Sequence, residues 1–162
     1  MEIVTIKEQD VEQVAPLVAA FRVSLKKRIG IDSMPNEAEG RTEMQEYLSA
    51  KLPCFAAMEQ NACVGYLVCR VDAPTVWVES LYVKDEFRRK GVATGLFHIA
   101  EKLAASYGED TVFNFVHPNN HEMIELLRKN GYSVLNLIEI RKPYPGEVFS
   151  QKIRVGNYEF DY

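Results

Sequence analysis

The stretch that decides the fold is VESLYVKDEFRRKGVATG, Val78 to Gly95. It begins as an apolar strand, passes through a turn holding Arg88, Arg89 and Lys90, and opens a helix with small residues. A helix N-terminus exposes about four backbone N–H groups and the positive end of the helix dipole. Gly91 lets the backbone approach a bulky anion, Ala93 keeps the next turn uncluttered, and the basic turn adds positive charge, so a phosphate group suits the site. The spacing excludes two common phosphate loops. The nucleoside-triphosphate loop needs four residues between its glycines followed by Lys and Ser or Thr, whereas GVATG has three and then Leu96. The dinucleotide fingerprint needs three glycines in an order that Gly91 and Gly95 do not make. On local physics alone, a solvated basic turn is the alternative to an anion site.

Working outward, Thr75–Val83 is the third of three strand-like runs, after Cys54–Glu59 and Cys63–Val71, and the connections are short enough to require an antiparallel meander. Gly91–Tyr107 carries Val92, Leu96, Ile99, Ala100 and Leu103 on one face, the stripe of a helix lying on a sheet. Thr111–Val116 is another strand. Strand, helix, strand at this spacing predicts a crossover, with Thr75–Val83 and Thr111–Val116 parallel. Upstream, Ile3–Ile6 alternates like a strand. Asp10 is placed to cap a helix striped by Val11, Val14, Leu17, Val18, Phe21 and Leu25, with Pro16 kinking it or moving its start. Met34–Ala50 reads as a looser helix weakened at Gly40. Downstream, Pro118 with Asn119 or Asn120 starts a helix that buries Met123, Ile124, Leu126 and Leu127 and stops at Gly131. Ser133–Lys142 and Gln151–Tyr158 read as closing strands. The fold class is α/β, or α+β with a mixed sheet, antiparallel first and parallel where the opening stretch lies.

The chain of 162 residues, 47% hydrophobic and 26% charged, predicts a single domain over residues 1–162 with a core running nearly end to end. Its apolar runs are short and its start lacks a basic-then-apolar order, which predicts a cytoplasmic protein without a membrane partner. Cys54, Cys63 and Cys69 are odd in number and lack metal spacing, so they read as buried thiols, with no metal site expected. A net charge of −4 with scattered Lys and Arg argues against a nucleic-acid surface.

LYVKDEFRRKGVA, Leu81–Ala93, resembles the pyrophosphate-binding motif of the GCN5-related N-acetyltransferases: an Arg or Gln, two residues, Gly, one residue, then Gly or Ala. Arg88, Gly91 and Ala93 match it. NHEMIELLRKNGY is similar to the family's second cofactor motif, with Asn120 opening a helix and Gly131–Tyr132 closing it, and the order of elements over nearly the whole chain is also the family's.

The resemblance implies acetyl-coenzyme A (acetyl-CoA) as acetyl donor. Backbone N–H groups of Arg89, Lys90, Gly91, Val92, Ala93 and Thr94 would grip the pyrophosphate. The pantetheine arm would pair with the backbone of Leu81 and Val83 where the parallel strands splay. An N–H near Leu81 would hold the tetrahedral oxyanion, and Asn120 would reach the pantetheine. An amine acceptor must lose a proton to attack, and Glu79 is the candidate base. Parity places it with Trp77, Leu81 and Val83 in a strand expected to be covered on both faces; alternatively it faces a polar groove or pairs with an arginine. Many family members carry a Tyr seven residues after the helix-opening Asn. Leu127 stands there instead, leaving the thiolate's proton to His117, Tyr144, water or nothing.

The resemblance also places the acceptor groove along Phe21–Ala50 and Pro143–Tyr162. These segments carry Glu37, Glu39, Glu43, Glu46, Glu147, Glu159 and Asp161, which either receive a cationic acceptor or merely solvate the surface. The implied activity is acetyl transfer to a primary amine of a small molecule; the alternatives are a protein N-terminus or lysine, or a non-catalytic acetyl-CoA sensor. Family members are often dimers, so a homodimer is a possible partner state that the sequence does not fix.

Overall fold

A computed structural model describes all residues, Met1–Tyr162. They divide into two compact units, Met1–Phe115 and Val116–Tyr162.

The first unit opens with β1 (Glu2–Thr5), α1 (Val11–Arg28) and α2 (Glu37–Ser49), continues through β2 (Cys54–Glu59), β3 (Ala62–Asp72) and β4 (Thr75–Val83), and closes with α3 (Val92–Ser106) and β5 (Phe113–Asn114). The strands form one mixed sheet in the order β1-β2-β3-β4-β5. The first three pairings are antiparallel. β4 and β5 are parallel, as the crossover spacing requires.

Residues alternate between the sheet's two faces. Tyr66 and Val68 point to the face of α1 and α2, in a core with Val14, Leu17, Val18 and Met44. Gly65 points the other way, toward Val83 and Val92 of α3. α3 buries Leu96, Phe97, Ala100 and Ala104.

Several details differ from the sequence reading. Asp10 precedes α1 but adopts a helical backbone conformation that continues the 3-10 turn Glu8–Asp10, so its carboxylate accepts the Lys7 amide at 2.8 Å and caps no amide of α1. Pro16 lies inside α1, which runs on through it. α2 is a regular helix capped by the Asn36 side chain, and Gly40 is buried in it. A β carbon at Gly40 would stand 2.3 Å from the Ala15 carbonyl oxygen, so this glycine is where α1 and α2 approach closely and is no weak point. The strand expected over Thr111–Val116 is only Phe113–Asn114, because β4 and β5 pair at just two positions, Trp77 with Phe113 and Val78 with Asn114.

The second unit holds α4 (His121–Lys129) and a hairpin of β6 (Lys152–Val155) and β7 (Tyr158–Asp161). α4 ends as expected: Gly131 has φ +89° and the Tyr132 amide donates to the Leu127 carbonyl. Its apolar residues are half-buried, and none is fully buried. Gln151–Tyr158 is two strands, because Gly156–Asn157 is a hairpin turn. Ser133–Lys142 forms no strand. Its apolar residues, Val134, Leu135, Leu137, Ile138 and Ile140, are exposed; without a neighbouring strand to take its N–H and C=O groups, strand propensity alone does not make it a strand.

Candidate active site

The site grows from one irregularity. Val68 pairs with Ser80 and Cys69 with Val78, so Glu79 is an extra residue in β4. Such a bulge turns two consecutive side chains to one face and breaks the alternation beyond it. Ser80 is buried on the α1–α2 face, 2.7 Å from the Tyr66 hydroxyl. Glu79 shares that face with Trp77: its carboxylate lies 3.6 Å from Arg70, whose guanidinium stacks over Trp77. Leu81 and Val83 point to the α3 face. The parity expectation therefore fails at the bulge. So does the expectation of burial, since the Glu79 side chain is 38% exposed. The carboxylate both faces a polar cleft and neighbours an arginine.

That cleft, about 570 Å³, is lined by Arg22, Ala38, Glu39, Thr42, Glu43, Glu46, Tyr47 and Glu79. The Glu43 carboxylate spans α2 to α1. It accepts from Arg22 Nε at 2.7 Å and from the Tyr47 hydroxyl at 2.6 Å, while Arg22 also donates to Tyr47 at 3.2 Å. Burial, reinforced by the hydrogen bond to Glu43, raises the Tyr47 phenol well above its ordinary range, so it remains a protonated donor. Arg22 is held charged by the same carboxylate. With Arg22 offset by Glu43, the lining keeps the charge of Glu39 and Glu46, and that of Glu79 in part, since Arg70 beside it also pairs with Asp72.

The other expected carboxylates are elsewhere. Glu147 is held by Arg141 in two contacts, at 2.8 and 2.6 Å, and Glu159 by Lys152 at 2.9 Å, both pairs within the second unit. Arg22, Thr42, Tyr47 and Arg70 line or support the site and were not anticipated. The i, i+4 spacing of Glu43 and Tyr47 signals a shared helix face; the pairing with Arg22 depends on how two helices cross.

Beyond Val78, β4 runs on while β5 ends, leaving the β4 edge from Glu79 to Val83 open. The Lys84 amide donates to Val64 in β3 at 2.9 Å. Alternation then turns the backbone groups of Tyr82 toward β3 and those of Leu81 and Val83 to the open edge. Arg88 crosses this edge: its Nε donates to the Val83 carbonyl at 3.1 Å, its Nη2 pairs with Asp85 at 2.9 Å, and its guanidinium lies over Tyr82. It braces the turn, with its charge balanced by Asp85. Arg89 and Lys90 are exposed.

Gly91 precedes α3 with φ +85°, no side chain caps the helix there, and a β carbon at Gly91 would meet nothing within 4 Å. The first bond within α3 runs from the Gly95 amide to the Gly91 carbonyl, so the amides of Val92, Ala93 and Thr94 precede the helix's own ladder. The Val92 side chain is buried, so only its backbone belongs to the turn. Asn120 lies in the second unit and caps α4, its Oδ1 accepting the Met123 amide at 3.2 Å. His117 Nδ1 is 2.7 Å from Asn119 Oδ1, and Tyr144 stacks against Arg141. No group of three or more His, Cys, Asp or Glu is arranged to hold a metal ion. No helix is long and apolar enough to cross a membrane.

A family model described as Acetyltransferase (GNAT) family matches residues 25–132. No curated protein sequence gives a significant match. Solved structures share the fold. The ribosomal-protein-alanine N-acetyltransferase of Brucella melitensis biovar Abortus 2308 is 15% identical, with TM-score 0.69 over 89% of this chain and 100% of that one. The aminoglycoside 6'-N-acetyltransferase AAC(6')-IG of Acinetobacter haemolyticus is 21% identical, with TM-score 0.65 over 89% and 99%. AAC(6')-Iy, solved with the bisubstrate analogue CoA-S-monomethyl-acetylneamine, is 21% identical, with TM-score 0.65 over 88% and 98%.

Proposed function

Because the chain belongs to the acetyltransferase (GNAT) family, we propose that it transfers an acetyl group from acetyl-CoA to a primary amine of a cationic small molecule. The observation that carries this reading is the acidic cleft with Glu79 on its wall, beside the open edge of β4.

The residues present fit the donor. An uncapped helix start with a left-handed glycine and clear space around it suits a diphosphate, and the outward-turned backbone of Leu81 and Val83 suits an extended amide-bearing arm. The donor supplies the acetyl group as a thioester. The Arg89–Thr94 amides bind the diphosphate, with Arg89 and Lys90 adding charge. The Leu81 amide donates to the thioester carbonyl oxygen, where negative charge develops during attack. Val83 offers its amide, its carbonyl being held by Arg88.

The Glu79 carboxylate takes the acceptor's proton, directly or through water. Glu39 and Glu46 attract further positive charges of the acceptor. Tyr47 and Arg22 fix Glu43 and shape the wall. Leu127, at the position where many family members carry Tyr, offers no proton, and a thiol whose pKa is about 8.5 is a tolerable leaving group without one.

Thiol release from acetyl-CoA, followed with a panel of polyamines, aminoglycosides, monoamines and peptides bearing free N-termini, tests the reading. Turnover is expected with amines carrying two or more positive charges, and to weaken with salt. Turnover of peptides alone would move the assignment to a protein acceptor, and binding of CoA with no turnover would make the chain a sensor.

A further inference from the structure

A buried hydrogen bond beside the cleft sits where it decides which way Glu79 points. Ser80 is the one small polar side chain in a core otherwise built of aliphatic, aromatic and cysteine residues. Its hydroxyl lies 2.7 Å from that of Tyr66, and both side chains are buried. Burial pushes the Tyr66 phenol well up, so it stays protonated and the pair always holds a hydrogen to share. An apolar pair would fill the same space without taking two hydroxyls out of water. What the pair contributes is therefore sought in what it specifies.

It specifies the register of β4. Leaving the Asp72–Thr75 hairpin, the ladder pairs Arg70 with Trp77 and Cys69 with Val78; past the bulge it pairs Val68 with Ser80 and Tyr66 with Tyr82. Continued without the bulge, it would set Glu79 opposite Val68 and Ser80 opposite Leu67. Moving the bulge on by one residue, so that Ser80 became the extra one, would also set Glu79 opposite Val68. Val68 is buried in the core with α1 and α2, so in both cases the carboxylate would leave the cleft for apolar surroundings. In both, Ser80 would turn to the face of Leu67, away from Tyr66. The Ser80 hydroxyl meets Tyr66, its diagonal neighbour, only when Ser80 itself faces Val68. The hydrogen bond thus exists in the register that leaves Glu79 on the cleft wall and in neither alternative.

We propose that the Tyr66–Ser80 hydrogen bond fixes the place of the bulge in β4, making Tyr66 and Ser80 positioning residues for the Glu79 carboxylate. This rests on the reading of Glu79 as the base. Neither hydroxyl touches the acceptor; both act through the backbone that carries Glu79.

Thermal melting and steady-state kinetics of Glu79→Gln, of the double variant Tyr66→Phe/Ser80→Ala and of the triple variant test this. The double variant removes both hydroxyls and leaves no buried group unpaired, so its melting temperature is expected to stay near that of the wild type. Its kcat is expected to fall about tenfold, with KM for acetyl-CoA unchanged. In the Glu79→Gln background the same two substitutions should cost nothing further. A pair that serves stability alone would leave kcat intact wherever the melting temperature is intact. Wild-type kcat in the double variant, or an equal loss in both backgrounds, overturns the proposal while leaving Glu79 as the base. If Glu79→Gln alone keeps wild-type kcat, the base reading itself fails and the proposal falls with it. Should the double variant fail to fold, Ser80→Thr and Ser80→Val decide, being alike in shape and different in the hydroxyl. Ser80→Thr is expected to keep kcat and Ser80→Val to lose it, and equal kcat in the two overturns the proposal.

Discussion

Glu79 owes its position to one extra residue in β4, and its proposed role as base is tested by its dependence on pH. Replacing Glu79 with Gln is expected to lower kcat/KM by about a hundredfold near neutral pH. The loss should shrink as the pH approaches the acceptor's own pKa, where free amine is plentiful. A pH–rate profile parallel to that of the wild type would leave Glu79 a wall residue.

The cysteines show the reverse situation. Burial pushes Cys54 and Cys63 up to about 11 and Cys69 up to about 12. Since the thiolate is the reactive form, native protein at pH 8 should resist alkylation at all three, and denatured protein should label fully. Mass spectrometry after a brief iodoacetamide pulse reads this directly.

Glu147 is governed by pairing: its hydrogen bonds with Arg141 and the Tyr144 amide lower it to about 2. The folded value lies below the unfolded one, so the contribution to the Arg141–Glu147 loop is present above the ordinary carboxylate range and is lost as the pH falls toward 2. An NMR titration of the Glu147 side chain should find its midpoint near 2; a midpoint near 4.5, the usual carboxylate value, would mean that the loop is open in solution.

Among the elements, the joint of α1 and α2 matters most, because it forms the cleft wall. A side chain at Gly40 collides with backbone, at Ala15 and at the Ala19 nitrogen 3.0 Å away, so no rotamer change relieves it. Gly40→Ala is expected to cost about 1–3 kcal/mol despite alanine's better helix propensity. Urea unfolding measures this, and a neutral or stabilising effect would mean that the helices do not cross there.

The same joint shows what periodicity can and cannot reveal. The helices, the meander and the crossover were legible because each is local, resting on apolar spacing, short turns and the strand–helix–strand interval. Gly40 read as a weak point because its partner is on another helix. The face of Glu79 was misread because period-2 reasoning assumes an unbroken ladder, and nothing in VESLYV marks the bulge. Ser133–Lys142 failed for the complementary reason: strand-like composition does not supply a neighbour to pair with.

At the scale of the whole molecule, the uncapped, glycine-led start of α3 was legible because helix-terminus chemistry is written in a few consecutive residues. The acidic cleft was only half legible. Glu39, Glu43 and Glu46 stood out by charge, but Arg22 and Tyr47 join them through an interhelical contact, and Glu147, Glu159 and Asp161, equally acidic, belong to ion pairs of the second unit. Arg88 carries the motif yet lies across the strand end as a brace, a geometry the motif does not specify.

The central claim is that the amides starting α3 and the open edge of β4 hold the acetyl donor. Residue-resolved amide hydrogen exchange with and without CoA tests it most directly. The account predicts that exchange slows at Leu81, Val83 and Arg89 to Thr94 when CoA is added. CoA binding that leaves those amides exchanging as before would contradict it.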